Sequence, residues 1–145
     1  MKKNIFKVIT LCTMLLLCIS FVSCQKAEPK TDLWANAMYT QDTELGSGEK
    51  TVAVEVTAEE KTVTLTIHSD KQNLGEALTE HNLIEGEQGA YGMYVKKVNG
   101  IEADYDKTKT YWGFNKDGES MMTGVDSEKI AHGDKYEIIY TKEVK

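Results

Sequence analysis

The sequence predicts an α+β domain of mostly antiparallel strands with one short α-helix, and three observations carry that prediction. Thr51–Thr57 (TVAVEVT) and Thr62–His68 (TVTLTIH) alternate apolar and polar residues, the period of strands with one buried face. Leu74, Ala77, Leu78 and His81 fall at i, i+3, i+4 and i+7, a single stripe along a helix. Asn99-Gly100, Asp117-Gly118 and Gly133-Asp134 are dipeptides at which a backbone reverses.

The first 23 residues stand apart from this domain. Lys2, Lys3 and Lys7 precede an uncharged apolar run from about Val8 to Val22, the layout of a secretory leader. The run is shorter than the ~20 residues that cross a bilayer core. Phe21-Val22-Ser23-Cys24 resembles the lipobox of bacterial lipoproteins, in which the cysteine receives a diacylglyceryl thioether and the leader is cut just before it. The resemblance implies a signal peptide over 1–23 and lipidation at Cys24. It also implies an extracytoplasmic protein held on a bacterial cell membrane by its acyl chains, since stable anchoring takes more than one chain.

Cysteine and charge agree with this expectation. Cys12 and Cys18 would leave with the leader and Cys24 would carry lipid, so the folded part would have neither a disulfide nor a thiolate metal site. Loss of the three leader lysines would take the formal charge from −6 to −9, and the sequence contains no arginine. Such a chain lacks the basic surface and bidentate donors that nucleic acids and phosphates require.

Residues 24–48 read as lipidated N-terminus and tether. Gln25–Thr31 is polar, as in a linker. Asp32–Tyr39 is more apolar, with Trp34 and Tyr39 expected to touch the domain, and Asp42–Gly48 reads as a loop. The domain itself is expected over 49–145. Its first hairpin joins the two alternating runs through Ala58–Lys61. The helix is expected over Leu74–Asn82, with Asn73 as cap and Glu76 placed for a capping box. Leu83 and Ile84 follow as core contacts, and Gly86 and Gly89 flank a turn.

Tyr91–Val98 reads as a strand that returns through Asn99-Gly100 into Ile101–Tyr105, and Asp104–Lys109 as a polar loop. Tyr111–Asn115 and Glu119–Met122 form a hairpin about Lys116-Asp117-Gly118. Ser127–Ile130 reads as a helical turn and Lys135–Lys142 as the last strand, with Tyr136, Ile138 and Tyr140 on one face. The order is β-β-α-β-β-β-β-β, one helix packed on antiparallel strands.

Several of these residues also carry a family likeness. They are Leu74-Gly75-Glu76-Ala77-Leu78, Tyr94-Val95 with Val98-Asn99-Gly100-Ile101, Thr110-Tyr111-Trp112, Gly124-Val125, and Gly133-Asp134. Together they resemble the C-terminal domain of the cobalamin carriers transcobalamin and intrinsic factor, over about Lys50 to Tyr140. In the carriers this domain caps one face of cobalamin and a separate helical domain holds the other. The resemblance implies the carriers' fold and a ligand- or partner-binding module, with a corrinoid as the ligand it suggests. No cofactor is required for such a role.

The candidate ligand-binding residues are Tyr94, Tyr111, Trp112, Phe114, Met121, Met122 and Gly124. Aromatic rings offer rigid apolar area with a polar tip, and thioethers adapt to apolar ligands. Alternation in a strand places Trp112 opposite Tyr111 and Gly113, so one site takes only one of these sets. The competing reading is that the aromatics fill the core. His68, His81 and His132 show no metal-ligand spacing, and the aspartates from Asp104 to Asp126 do not make a calcium loop. Ser47, Ser69, Ser120 and Ser127 lack a nucleophile elbow, so no enzyme is expected. The expected function is therefore a lipid-anchored binding module that presents a small molecule to a transporter or surface protein. The alternative is a protein–protein interaction module without a small-molecule ligand.

Overall fold

The structure, a computed structural model, describes residues 32–144. The leader and the Cys24 lipidation site lie outside the described residues. The elements follow from the patterns above. A 3-10 turn, Leu33–Asn36, precedes strand β1, Thr43–Gly46. Strands β2, Lys50–Ala58, and β3, Lys61–Ser69, form the predicted hairpin, with every register pair from Lys50–Ser69 to Ala58–Lys61 in place. Helix α1, Leu74–Glu80, follows. Strands β4, Ile84–Gly89, β5, Gly92–Val98, and β6, Ile101–Glu102, come next. The chain closes with short helix α2, Tyr105–Thr108, and strands β7, Thr110–Lys116, β8, Glu119–Ser120, and β9, Lys135–Lys142.

The strands divide into two sheets. Six run in the order β1-β3-β2-β9-β7-β8, and three in the order β4-β5-β6. The domain is thus mostly β, and the larger sheet is mixed: β1 lies parallel to β3 and β9 parallel to β2. Between β2 and β9 lie α1 and the whole small sheet, long enough a crossover for parallel pairing.

The core sits between the two sheets and α1. Val52, Val54 and Val56 of β2, Val63, Leu65 and Ile67 of β3, and Tyr136 and Ile138 of β9 are all buried on one face of the large sheet. Leu74, Ala77 and Leu78 of α1 and Ile84, Val95, Val98 and Ile101 of the small sheet complete it. Burying each such side chain stabilises by roughly 1.5–3 kcal/mol before entropy is counted.

Several expectations are corrected here. The stretch 24–48 is not all tether: from Asp32 onward it belongs to the compact unit. Trp34 touches the domain as expected, buried and donating its indole N–H to the Ala58 carbonyl at 3.0 Å, whereas β1 replaces the expected loop. Leu83 and Ile84 are core contacts as expected, but Ile84–Gly89 is a strand where a turn flanked by Gly86 and Gly89 was expected, because it pairs with β5 through a bulge at Glu85/Gly86. Ile101–Tyr105 is cut to two residues because Asp104 caps α2, accepting the Lys107 N–H at 3.0 Å. The expected strand Glu119–Met122 stops at Ser120. Helix α1 ends two residues early, with Asn82 left-handed at φ 55°.

Asn99-Gly100 does turn β5 into β6, both residues having positive φ. Asn99 is also fully buried, accepting the Tyr39 N–H at 2.9 Å and donating to the Tyr39 carbonyl at 2.8 Å. That pair of bonds fastens the N-terminal segment to the small sheet.

Candidate functional site

The site grows out of the way helix α1 is capped. The first N–H groups of a helix lack intrahelical acceptors. Here Asn73 Oδ1 accepts from Glu76 N at 2.8 Å, and Glu76 Oε2 accepts from Gln72 N at 3.4 Å, one residue earlier than in a capping box. The loop between β8 and β9 supplies the rest: the Glu128 carbonyl accepts from Leu74 N at 2.8 Å and the Val125 carbonyl from Gly75 N at 2.9 Å. The loop is therefore held on the helix N-terminus by backbone bonds.

Asp126 then links that loop to the small sheet. Its Oδ2 accepts the Met93 N–H at 2.8 Å and the Gln88 side-chain amide at 3.4 Å. Two glycines permit the approach. A Cβ on Gly75 would lie 2.6 Å from Asp126 Oδ1. Gly92, at φ +105°, would place one 3.2 Å from Oδ2 in a conformation side chains rarely adopt.

The other end of the loop is held electrostatically. Lys116 Nζ lies 2.9 Å from Glu128 Oε1 and 2.8 Å from Asp134 Oδ2, and the Tyr136 hydroxyl donates to Asp134 at 3.0 Å. The Lys116 ammonium holds the Glu128 carboxyl below its ordinary range. Burial pushes the Asp134 carboxyl up, but Lys116, the Ala131 N–H and the Tyr136 hydroxyl outweigh it and leave it lowered.

Two almost wholly exposed apolar side chains stand on the segments so anchored. Tyr91 sits at the tip of the β4–β5 hairpin, between Gly89 and Gly92, and is 98% exposed. Met122, in the anchored loop, is 95% exposed. Gly124 adjoins the hairpin tip, where an added Cβ would stand 3.5 Å from the Tyr91 carbonyl. A shallow, open depression of about 390 Å³ lies between α1 and β5, lined by Lys71, Gly75, Glu76, Thr79, Glu80, Met93 and Asp126.

The seven sequence-nominated residues are not all brought together. Met122 and Gly124 lie on the anchored loop between β8 and β9. Trp112 is in the core, only 6% exposed, packed edge-on to Tyr140 at 5.3 Å. Phe114 and Met121 are partly buried against the same core, and Met121 N donates to the Phe114 carbonyl at 2.9 Å. Tyr94 and Tyr111 remain on the surface, 50% and 39% exposed. Tyr111 meets Tyr105 edge-on at 6.5 Å, and Tyr105 donates its hydroxyl to Glu143 at 2.6 Å. Sequence reasoning missed Tyr91, Met93 and Asp126 as site residues. One signal was available for Tyr91: an aromatic in Gly89-Ala90-Tyr91-Gly92 has no strand neighbour under which to bury.

Among the described residues no three His, Cys, Asp or Glu side chains form a group that could hold a metal ion. Asp104 is engaged as the cap of α2.

Residues 72–142 match a family described as a domain of unknown function, DUF4430. No curated protein matches the chain. A crystal structure from Ruminococcus gnavus ATCC 29149, of a protein described as a candidate metal-binding protein, is 30% identical. That match has a TM-score of 0.63 and covers 66% of this chain and 100% of the other. Haptocorrin in complex with Cbi matches at a TM-score of 0.50 and 19% identity, over 69% of this chain and 27% of the haptocorrin chain. At that identity the likeness is one of fold, and the fold is the one expected from the carriers' C-terminal domain.

Proposed function

Since this chain belongs to the family of the Ruminococcus gnavus protein, and has the fold found in part of haptocorrin, we propose that it is a ligand-binding module that acts without catalysis. In this reading it is held outside the cell membrane by lipid on Cys24. Its Tyr91–Met122 end covers a flat, largely apolar ligand of the corrinoid class for delivery to a transporter or surface protein.

The observation that carries the reading is that Tyr91 and Met122 are both almost wholly exposed, on segments that adjoin where Gly124 faces the Tyr91 carbonyl. A chain of net charge −6 has few reasons to leave two large apolar side chains almost wholly in water on adjoining loops. Large exposed apolar side chains on adjoining segments are candidates for a binding surface. Both side chains suit a flat apolar ligand, because Tyr supplies a rigid ring and Met a chain that conforms to its partner.

Isothermal titration of the full chain with cobalamin and with cobinamide tests this. Saturable binding that a Tyr91→Ala/Met122→Ala double variant loses is the expected result. No saturable heat up to about millimolar ligand, roughly −4 kcal/mol of binding, would remove it. A different observation supports the alternative of a protein-interaction module. Among the described residues strand β4 pairs only with β5, leaving the backbone edge of Ile84–Gly89 open there to an added strand.

A further inference from the structure

We propose that Thr51 is the hub of a proton-sensitive latch: its backbone N–H holds the turn ahead of β9 through the neutral imidazole of His132, and protonation of that ring releases the turn. The latch is independent of the ligand-binding reading above. Thr51 lies in β2 and meets two histidines, one through its backbone and one through its side chain. The N–H donates to His132 Nδ1 at 3.2 Å, and Oγ1 lies 3.0 Å from His68 Nδ1. His68 in turn pairs through Nε2 with Glu44 of β1 at 2.5 Å. Three segments, β1, the β2–β3 hairpin and the loop before β9, are thus linked through one residue.

His132 stands where the next ladder acceptor would be. Two residues along β2, the Ala53 N–H donates to the Asp134 carbonyl at 3.0 Å, where parallel pairing with β9 begins. Gly133 N donates to the Thr51 carbonyl at 2.8 Å. The turn itself is closed by Asp134 N on the Ala131 carbonyl at 3.2 Å, with Gly133 at φ +91° as a tight turn requires. The Thr51 N–H therefore faces a ring nitrogen where Ala53 faces a carbonyl. A ring nitrogen, unlike a carbonyl, takes up a proton near neutral pH.

The two histidines answer a proton oppositely. Neutral His68 donates from Nε2 to Glu44 and accepts the Thr51 hydroxyl at Nδ1. Protonated, it donates from both nitrogens, and the hydroxyl turns to accept. Both of its links survive, and the one to Glu44 becomes an ion pair. His132 Nδ1 accepts only while it carries no proton. Once protonated, it puts a donor against the Thr51 N–H, and a charged His68 on the same residue repels the second charge. His132 is exposed, so its ring is free to turn into water. The other charged groups nearby do not restore the bond. Lys135 of β9, which pairs with Ala53 on the sheet face that Thr51 shares, adds positive charge. Asp134 is taken up by Lys116, the Ala131 N–H and the Tyr136 hydroxyl, Lys50 by the Lys71 carbonyl, and Asp70 by the Glu49 N–H.

Amide hydrogen exchange and imidazole ¹⁵N shifts of the ¹⁵N-labelled full chain test the latch. The pH runs from about 7.5 to about 5.5, a window that spans ordinary imidazole titration and lies above that of carboxylates. Exchange is expressed as protection, so that its intrinsic pH dependence drops out. Neutral His132 is expected as the tautomer with its proton on Nε2. Protection of Thr51 should fall roughly tenfold or more as His132 titrates, while that of Ala53, bound to a carbonyl, should hold. His132→Asn keeps an acceptor oxygen near the place of Nδ1 but takes up no proton, and should leave Thr51 protected at both ends of the window. His132→Ala should leave Thr51 unprotected at both. A neutral His132 with its proton on Nδ1, Thr51 protection indifferent to pH, or a fall that persists in His132→Asn would overturn the inference. So would an equal fall at Ala53, which would be general fraying of the sheet.

Discussion

Asp126 Oδ2 accepts the backbone N–H of Met93 at 2.8 Å, and this bond, with a longer one from the Gln88 side-chain amide at 3.4 Å, joins the β4–β5 hairpin to the loop that follows β8. The two segments that present Tyr91 and Met122 have their relative position set by a carboxylate that belongs to neither side chain.

Replacing Asp126 with Ala should therefore loosen the hairpin more than it unfolds the domain. An unsatisfied, partly buried N–H costs about 1–3 kcal/mol. The expected outcome is faster hydrogen exchange at Met93 and Gln88, with core amides of β2 and β3 unchanged. Exchange that rises equally throughout would assign Asp126 a global role instead.

Lys116 predicts an acid-dependent loss of stability. A carboxylate whose folded pKa is lowered stabilises the fold at neutral pH and loses that contribution as pH falls through its folded value. Glu128 and Asp134 are both lowered. The loss should begin near the ordinary carboxylate range, about pH 4, and finish below it. A Lys116→Met variant should cost about 2 kcal/mol at pH 7, between the values for exposed and buried pairs. Denaturant titrations across pH should show the gap between the two proteins narrowing toward acid. A constant gap would mean that the network contributes nothing through charge.

Trp112 and Met122, both nominated from the sequence, should behave oppositely. Trp112→Ala opens a cavity in the core and should cost about 3–5 kcal/mol. Met122→Ala should stay within about 0.5 kcal/mol of the parent. Trp112→Phe should cost less than half as much as the alanine, because it keeps a ring while removing an indole N–H with no partner among the described residues. Thermal and chemical denaturation of the three variants decide the point.

Asn99 should be the costliest polar residue to remove. Asn99→Ala strips both side-chain bonds to Tyr39 and puts a β-carbon without local hydrogen bonding at φ 51°. A loss of about 2–4 kcal/mol is expected. Asn99→Asp keeps the acceptor but loses the donor, and should recover part of that loss only at low pH, where its carboxyl is protonated and can donate. Denaturant titrations of both variants at neutral and acid pH check this.

For the anchor, Cys24→Ser should abolish incorporation of an alkyne-tagged fatty acid in growing bacterial cells and release the protein from the membrane fraction. Retained label would place the acyl chain elsewhere.

The sequence alone determined what depends on neighbours along the chain. Period-2 alternation set the β2–β3 hairpin and its buried face, and 3.6-residue spacing set α1. Asn99-Gly100 and Asp117-Gly118 set turns, because their φ requirements are local. Tertiary structure decided what depends on long-range pairing. β1 and β4 became strands because β3 and β5 offered them open edges, and β9 paired in parallel with β2 because α1 and the small sheet lie between. The site divides along the same line. Aromatic identity in Thr110–Phe114 is visible in the sequence, but whether a ring is core or surface depends on what packs over it. Trp112 is covered by Tyr140, a strand away, while Tyr91 stands at a hairpin tip whose far side is solvent. The bond from Asp126 to Met93 spans 33 residues, and no local pattern encodes a contact that only the folded sheets bring within reach.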